Sequence, residues 1–190
     1  MKILSCFFLV FFFVKFTAQS NENLKSDQLY VEATVLSLKS THRNYFNGAT
    51  VFFGKDLTKK FNVAIGFEHS RNNFHNDNDW LLYKLRFNTI VVRQQILLFS
   101  EKKLKISADF REGLSFIKYV KEEPLVRKDF RYKVKEKGLF LYFGINSKLF
   151  LTQNIAIIVD LGIKGLHMST NVYEVNPHGI NAMTGLQVKL

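Results

Sequence analysis

The stretch IAIIVDLGIK at residues 155–164, near the end of the chain, alternates between apolar and mostly small or charged residues. Its apolar positions are Ile155, Ile157, Val159, Leu161 and Ile163, and the positions between them include Ala156, Asp160, Gly162 and Lys164. Successive side chains of a β-strand point to opposite faces. The stretch therefore predicts a strand with one apolar face and one face that mixes small and charged residues.

The same two-residue period recurs along the rest of the chain. It is clear in residues 104–111 and 139–146, and residues 186–190 carry it to the last position. Short polar connections are predicted near residues 56–60, 100–103 and 152–154, and longer polar loops near 39–47, 70–79, 121–135 and 171–179. The pattern predicts eight strands, with short turns at one rim and long loops at the other.

These features predict an all-β protein, an eight-stranded antiparallel transmembrane β-barrel of the outer-membrane type. A last strand that runs to the terminus can pair with the first, and such closure removes the exposed sheet edges. The alternative is a soluble barrel or sandwich whose apolar face points inward. The mixed face favours the membrane barrel because it carries both signs of charge at mid-strand depth, where they can pair inside. These residues are Glu32, Asp56, Glu68, Lys84, Arg86, Asp109, Arg111, Asp160 and Lys164.

The strand number limits the function. An eight-stranded barrel is only just wide enough for its own side chains, so a wide pore is excluded. Three classes remain, namely an enzyme that works at the lipid face or rim, a protein that binds through its long loops, and a structural barrel.

The N-terminus predicts export. Lys2 precedes an almost entirely apolar run at residues 3–14, which is too short for a membrane-spanning helix of about 20 residues. The run fits the apolar region of a secretory signal peptide with cleavage after Ala18. Residues 1–18 are therefore predicted to be a signal peptide and residues 19–190 a single barrel domain. The single cysteine, Cys6, lies in the signal peptide, which excludes disulfides and cysteine-bound metals from the mature chain.

The charge balance predicts an anionic partner. The net charge of +11 falls to +9 when Lys2 and Lys15 leave with the signal peptide. An exported barrel seldom meets nucleic acid, so a phosphorylated membrane glycolipid is the favoured partner. Basic and aromatic residues of the predicted loops are typical of a solvated rim and also suit lipid phosphates. They are Arg43, Tyr45, Arg71, Trp80, Lys121, Arg127, Lys128 and Arg131.

Neither a metal nor a cofactor is predicted, because the histidines are scattered. His42, His69, His75 and His178 have no spacing, among themselves or with the acids, that resembles a metal-ligand set.

A base and a hydroxyl stand close together late in the chain. His167 and Ser169 are two residues apart, which on a strand puts both on one face with Cα atoms about 6 to 7 Å apart. Counting by twos from Ile155 reaches both, so the pair continues the apolar stripe toward the long-loop rim. The spacing is compatible with a serine nucleophile and its base, but by itself it is more typical of two polar residues at a membrane interface.

Residues 162–190 resemble the C-terminal hairpin of the outer-membrane lipid A 3-O-deacylases, the PagL-type acyloxyacyl hydrolases. The residues that carry the resemblance are His167, Ser169, Asn171, Asn176, Pro177, Gly179, Ile180 and Asn181. The resemblance implies an esterase of a Gram-negative outer membrane that removes an acyl chain from lipid A of lipopolysaccharide, with Ser169 as nucleophile and His167 as base. The alternative is a small non-catalytic outer-membrane barrel with a binding or structural role.

The chain departs from the family pattern at Asn181, where the family has a glutamate. An asparagine can hold a histidine ring nitrogen but cannot balance its charge. Strand parity puts Asn181 inside the barrel, so its predicted role with His167 requires a β-bulge near Gly185 or just after Gly179. Glu174 is an alternative source of the carboxylate. The predicted substrate or oxyanion groups are Asn171, Asn176 and Gly179.

Overall fold

Eight antiparallel strands close into a barrel in the computed structural model, which describes residues 28–40, 45–77, 80–122, 131–168 and 178–190. The side chains of residues 74–80, 167 and 168 also lie outside the described set. The strands are β1 (Leu29–Ser40), β2 (Tyr45–Asp56), β3 (Phe61–Asp77), β4 (Trp80–Ser100), β5 (Leu104–Glu122), β6 (Arg131–Phe150), β7 (Ile155–Met168) and β8 (Gly179–Lys189). Each pairs with its neighbours in sequence, and β8 pairs with β1. The predicted eight-stranded antiparallel barrel is confirmed.

The short connections lie at one rim, as predicted. Residues 57–60, 101–103 and 151–154 join β2 to β3, β4 to β5 and β6 to β7. Two of these turns contain a hydrogen bond of the same type. The hydroxyl of Thr58 accepts from the backbone N–H of Phe61 at 3.0 Å, and that of Thr152 accepts from the N–H of Ile155 at 3.0 Å. Threonine hydroxyls stabilise turns in this way.

At the other rim the strands run further than predicted. The loop expected at residues 70–79 is mostly strand, since β3 continues to Asp77 and β4 begins at Trp80. Much of the loop expected at 121–135 is also strand, because β5 ends at Glu122 and β6 begins at Arg131. These extensions carry polar side chains on both faces, so hydrophobic alternation did not mark them. Backbone hydrogen bonds between the strands, which do not depend on side-chain polarity, hold them in the sheet.

A band of exposed apolar side chains surrounds the barrel. Every second residue of β7 from Ile155 to Ile163 is exposed, and Ile163 reaches 68%. On β6 the exposed series is Leu139, Leu141, Phe143 and Ile145. A soluble protein would bury such a surface. The soluble alternative is therefore wrong, and the band is what a lipid-facing barrel requires. No helix among the described residues is long and apolar enough to cross a bilayer.

The interior is packed with charged and aromatic side chains. Among the described residues, the buried charged groups comprise five acids (Glu32, Glu68, Asp109, Glu136 and Asp160) and five bases (Arg93, Arg111, Lys121, Lys148 and Lys164). Arg93 donates to both oxygens of Glu32, at 2.5 and 2.8 Å. Its guanidinium also lies 4.1 Å from the ring centroid of Phe52. Opposite charges offset part of one another's desolvation cost in this arrangement, and the packing leaves no room for a wide pore.

Two residues predicted to face the interior lie outside. Lys84 and Arg86 are both exposed, and Arg86 is in phase with the exposed Ile90 of the same strand. The irregularity of β4 between Tyr83 and Arg86, where Lys84 has a φ of 55°, changes the facing of the residues that precede it. Asp56 is half-buried at the end of β2, at the short-turn rim.

Glu112 lies within the apolar band on the outer face of β5. A bulge at Gly113 would turn it inward, but β5 pairs in continuous register with β4 and β6 on both sides of that glycine. Glu112 is half-buried and keeps its outward position between Val92 and Leu141.

Glycines make room for interior rings. Gly66 pairs with Phe52 across β2 and β3, and a Cβ atom on Gly66 would lie 2.3 Å from Cδ1 of that ring and 2.6 Å from the carbonyl oxygen of Val51. Small and large residues alternate in this way where a narrow barrel must be filled.

Gly66→Ala is therefore expected to lower the free energy of unfolding by about 1–3 kcal/mol, because the ring and backbone must both shift. Gly165→Ala is the matched control, since a Cβ there meets nothing within 4 Å. Urea unfolding in lipid vesicles measures both. Equal midpoints for the two variants would contradict the tight contact at Gly66.

Candidate functional site

The candidate site lies at the long-loop end of the β7–β8 hairpin. The backbone of His167 pairs with Leu139 of β6, and Met168 pairs with Gly138. Leu139 is an exposed residue of the apolar band. The His167 backbone thus stands at the upper edge of that band. Ser169, Asn171, Glu174 and Asn176 lie outside the described residues.

Asn181 is separated from His167. It is fully buried inside the barrel, and it pairs with Leu38 of β1 and Gly162 of β7. His167 is five residues beyond Gly162 along β7, which at about 3.3 Å per residue is roughly 16 Å. The two side chains together span less than that distance.

The orienting role predicted for Asn181 is therefore corrected. The required bulge is absent, since β8 keeps continuous register with β1 and β7 from Gly179 to Val188. Both amide atoms of Asn181 are buried without a hydrogen-bond partner among the described residues. The sequence similarity at Asn181 does not correspond to spatial proximity, because the register sets which residues meet across the hairpin.

Gly179 is a strand residue and not part of a free loop. It opens β8 and pairs with Lys164 of β7 and Ser40 of β1. Its partner Lys164 precedes His167 by three residues on β7, which is about 10 Å along the strand. The structure therefore does not bring Gly179 to the backbone of His167 as an oxyanion donor.

The interior beneath the hairpin is closed by paired groups. Lys164 of β7 is buried and forms an ion pair with Glu68 of β3. Nearer the rim, the hydroxyl of Tyr119 donates to Glu136 at 2.8 Å. Any substrate of His167 and Ser169 must therefore approach from the membrane or the rim, not through the barrel.

The outer surface beside β7 changes from apolar to basic. On β6 the exposed outward positions before Leu139 are Arg131, Lys133, Lys135 and Lys137. Most of this segment was predicted to be a loop, so its regular basic surface was not predicted. A signal was present, because the four cations are in phase with the apolar series that begins at Leu139.

Among the described residues, no group of three His, Cys, Asp or Glu side chains is placed to hold a metal ion. The ring nitrogen Nδ1 of His69 lies 2.8 Å from the side-chain oxygen of Asn88 on the neighbouring strand. This contact is a cross-strand pair on the outer face.

The fold is similar to those of solved outer-membrane proteins. A major outer membrane protein from Thermus thermophilus has a TM-score of 0.59 and 10% identity, over 87% of this chain and 100% of that chain. Neisserial surface protein A has a TM-score of 0.55 and 11% identity, over 89% of this chain and 100% of that chain. The N-terminal β-barrel domain of Pseudomonas aeruginosa OprF has a TM-score of 0.53 and 13% identity, over 87% of this chain and 100% of that chain. No protein-family model matches the sequence, and comparison with curated proteins gives no match. At these identities the likeness concerns the fold alone, and the chain has the fold of outer-membrane β-barrels.

Proposed function

We propose that this protein is an outer-membrane esterase of a Gram-negative bacterium, which removes an ester-linked acyl chain from lipid A. Ser169 is the nucleophile and His167 the base that takes its proton. The observation that carries the proposal is the location of the resembling segment. The backbone of His167 pairs with Leu139 at the edge of the lipid-facing band, which is the depth at which an acyl ester of a membrane lipid lies.

Glu174 takes the place of Asn181 in this proposal. A serine–histidine pair works best with a carboxylate that orients the ring and stabilises its charged form. Glu174 is the single acidic residue between Met168 and Gly179, close in sequence to both Ser169 and His167. Asn171 and Asn176, with backbone N–H groups of the same segment, are the proposed oxyanion donors.

The test is the mass of lipid A from cells that carry the barrel. Expression in a Gram-negative outer membrane is expected to remove one acyl chain from lipid A, and Ser169→Ala is expected to abolish this change. Ser147→Ala is the matched control, because Ser147 lies on β6 near the short-turn rim. Unchanged lipid A with correctly inserted protein would contradict the esterase.

The second candidate is a non-catalytic barrel that binds lipid. This candidate is favoured by the distance of roughly 16 Å between Asn181 and the backbone of His167. At that distance the position where the family has its glutamate is too far from His167 to orient it. In that case Ser169→Ala leaves lipid A as it was, while lipid binding persists.

A further inference from the structure

Four basic side chains form a continuous row across the outer face of β3, β4, β5 and β6. Arg71 pairs with Arg86, Arg86 with Lys118, and Lys118 with Lys135. All four are exposed. Side chains of directly paired residues stand on the same face, and neighbouring strands are about 4.8 Å apart. This basic row therefore spans about 15 Å, enough to contact more than one phosphate group.

Within the described residues, no acid neutralises the basic row. In the described part of the chain none of its four members makes an ion pair. The nearby acids Glu68 and Glu136 are buried inside the barrel, and Glu122 binds Arg131 at 2.7 Å. Like charges on directly paired residues destabilise a sheet. An external anion bound across the four cations offsets this repulsion.

The height of the row favours an anion of the headgroup layer. On β5 the outward residue next to Lys118 is Phe116, an exposed member of the apolar band. On the other three strands one polar outward residue stands between the row and the band, and these residues, His69, Asn88 and Lys137, are in register with Phe116. One outward step is two residues, or about 7 Å along a strand, and the headgroup layer of a bilayer begins just outside its hydrocarbon core. The basic row therefore lies one to two steps beyond the apolar band, toward the long-loop rim, where lipid headgroups are found.

Within the register row itself, the charged residues lie on four adjacent strands. Followed in register past Arg71, the same row continues through Asn47, Ser37 and Ala182, all uncharged. The hydroxyl of Ser37 donates to the side-chain oxygen of Asn47 at 2.9 Å, so these two polar groups satisfy each other.

We propose that the basic row of Arg71, Arg86, Lys118 and Lys135 binds the phosphate groups of a phosphorylated glycolipid in the leaflet at the long-loop rim. The two arginines make paired hydrogen bonds to phosphate oxygens, and the two lysines add point charges. Lys135 also lies on β6, the strand that borders the end of β7. The row thus holds the lipid next to the candidate esterase site. The inference rests on the proposed function for the choice of lipid A as the ligand, but binding requires no hydrolysis.

Native mass spectrometry of the full chain in detergent micelles tests the inference, with bisphosphorylated lipid A and dephosphorylated lipid A as probes. Replacing all four row residues with glutamine is expected to weaken binding of bisphosphorylated lipid A by at least about tenfold and to remove most of its salt dependence. The matched control removes four exposed cations at the short-turn rim, with Lys59, Lys60, Lys102 and Lys103 changed to glutamine. It is expected to bind as the unmodified protein does, and dephosphorylated lipid A is expected to bind weakly to every variant.

Equal affinities of the row variant and the control variant for bisphosphorylated lipid A overturn the inference. Ser169→Ala separates the two proposals, because it is expected to bind lipid A normally while leaving it uncleaved. If the unmodified protein binds lipid A through the row but does not cleave it, the esterase proposal is contradicted and the binding proposal stands. Circular dichroism confirms that each variant is folded before binding is compared.

Discussion

Replacing Arg111 with leucine is expected to lower the free energy of unfolding by about 3–5 kcal/mol. Arg111 is buried and donates to Asp109 at 2.8 and 3.1 Å, and it also forms an ion pair with Asp160. Its guanidinium lies 4.4 Å from the ring centroid of Tyr142. The substitution leaves two buried carboxylates without their main cation, which costs far more than the lost contacts alone.

Urea unfolding in lipid vesicles, followed by the fluorescence of the single tryptophan, Trp80, measures the loss. Arg71→Leu is the matched control because Arg71 is exposed, and a change there is expected to stay within about 1 kcal/mol. Adding Asp160→Asn to Arg111→Leu is expected to recover part of the stability by removing one stranded charge. If Arg111→Leu unfolds at the same urea concentration as the unmodified barrel, the interior ion pairs are not the stabilising element proposed.

Glu174→Gln is expected to lower the rate of lipid A deacylation by about 10⁴-fold, the scale of loss when a serine hydrolase's acid becomes an amide. The substitution keeps the size of the side chain and removes only the charge that would stabilise the protonated His167. Single-turnover cleavage of purified lipid A by the refolded protein measures the rate.

Asn181→Ala is the matched control for this prediction. Asn181 stands where the resembling family has a glutamate, but it lies about 16 Å along the strand from the backbone of His167. We expect a rate within about twofold of the unmodified protein, and no loss of stability, since the amide has no partner among the described residues to lose. A large drop with Asn181→Ala and none with Glu174→Gln would reverse the two assignments.

Local patterns predicted the elements and most of their faces. The apolar series from Ile155 to Ile163 is exposed, and Asp160 and Lys164 between them are buried. The three short turns also lie where polar residues interrupt the alternation. These features follow from the two-residue period of a strand, which depends only on neighbouring residues.

The prediction that Lys84 and Arg86 face inward is wrong. Arg86 is in phase with Ile90 and Val92 of the exposed apolar series, so the two-residue period of β4 places it outside. The strand extensions past Ser70 and around Lys121 were not predicted, because polar residues on both faces carry no periodic signal.

The sequence alone determined that this chain forms strands with an apolar and a charged face, in a number and length suited to a membrane barrel. Only the tertiary structure decided which residues meet across those strands. The register separates Asn181 from His167, although a motif joins them, and it aligns Arg71, Arg86, Lys118 and Lys135, which no motif connects. The physical reason is that the period of a strand is a local property, whereas its register is set by pairing between segments far apart in the chain.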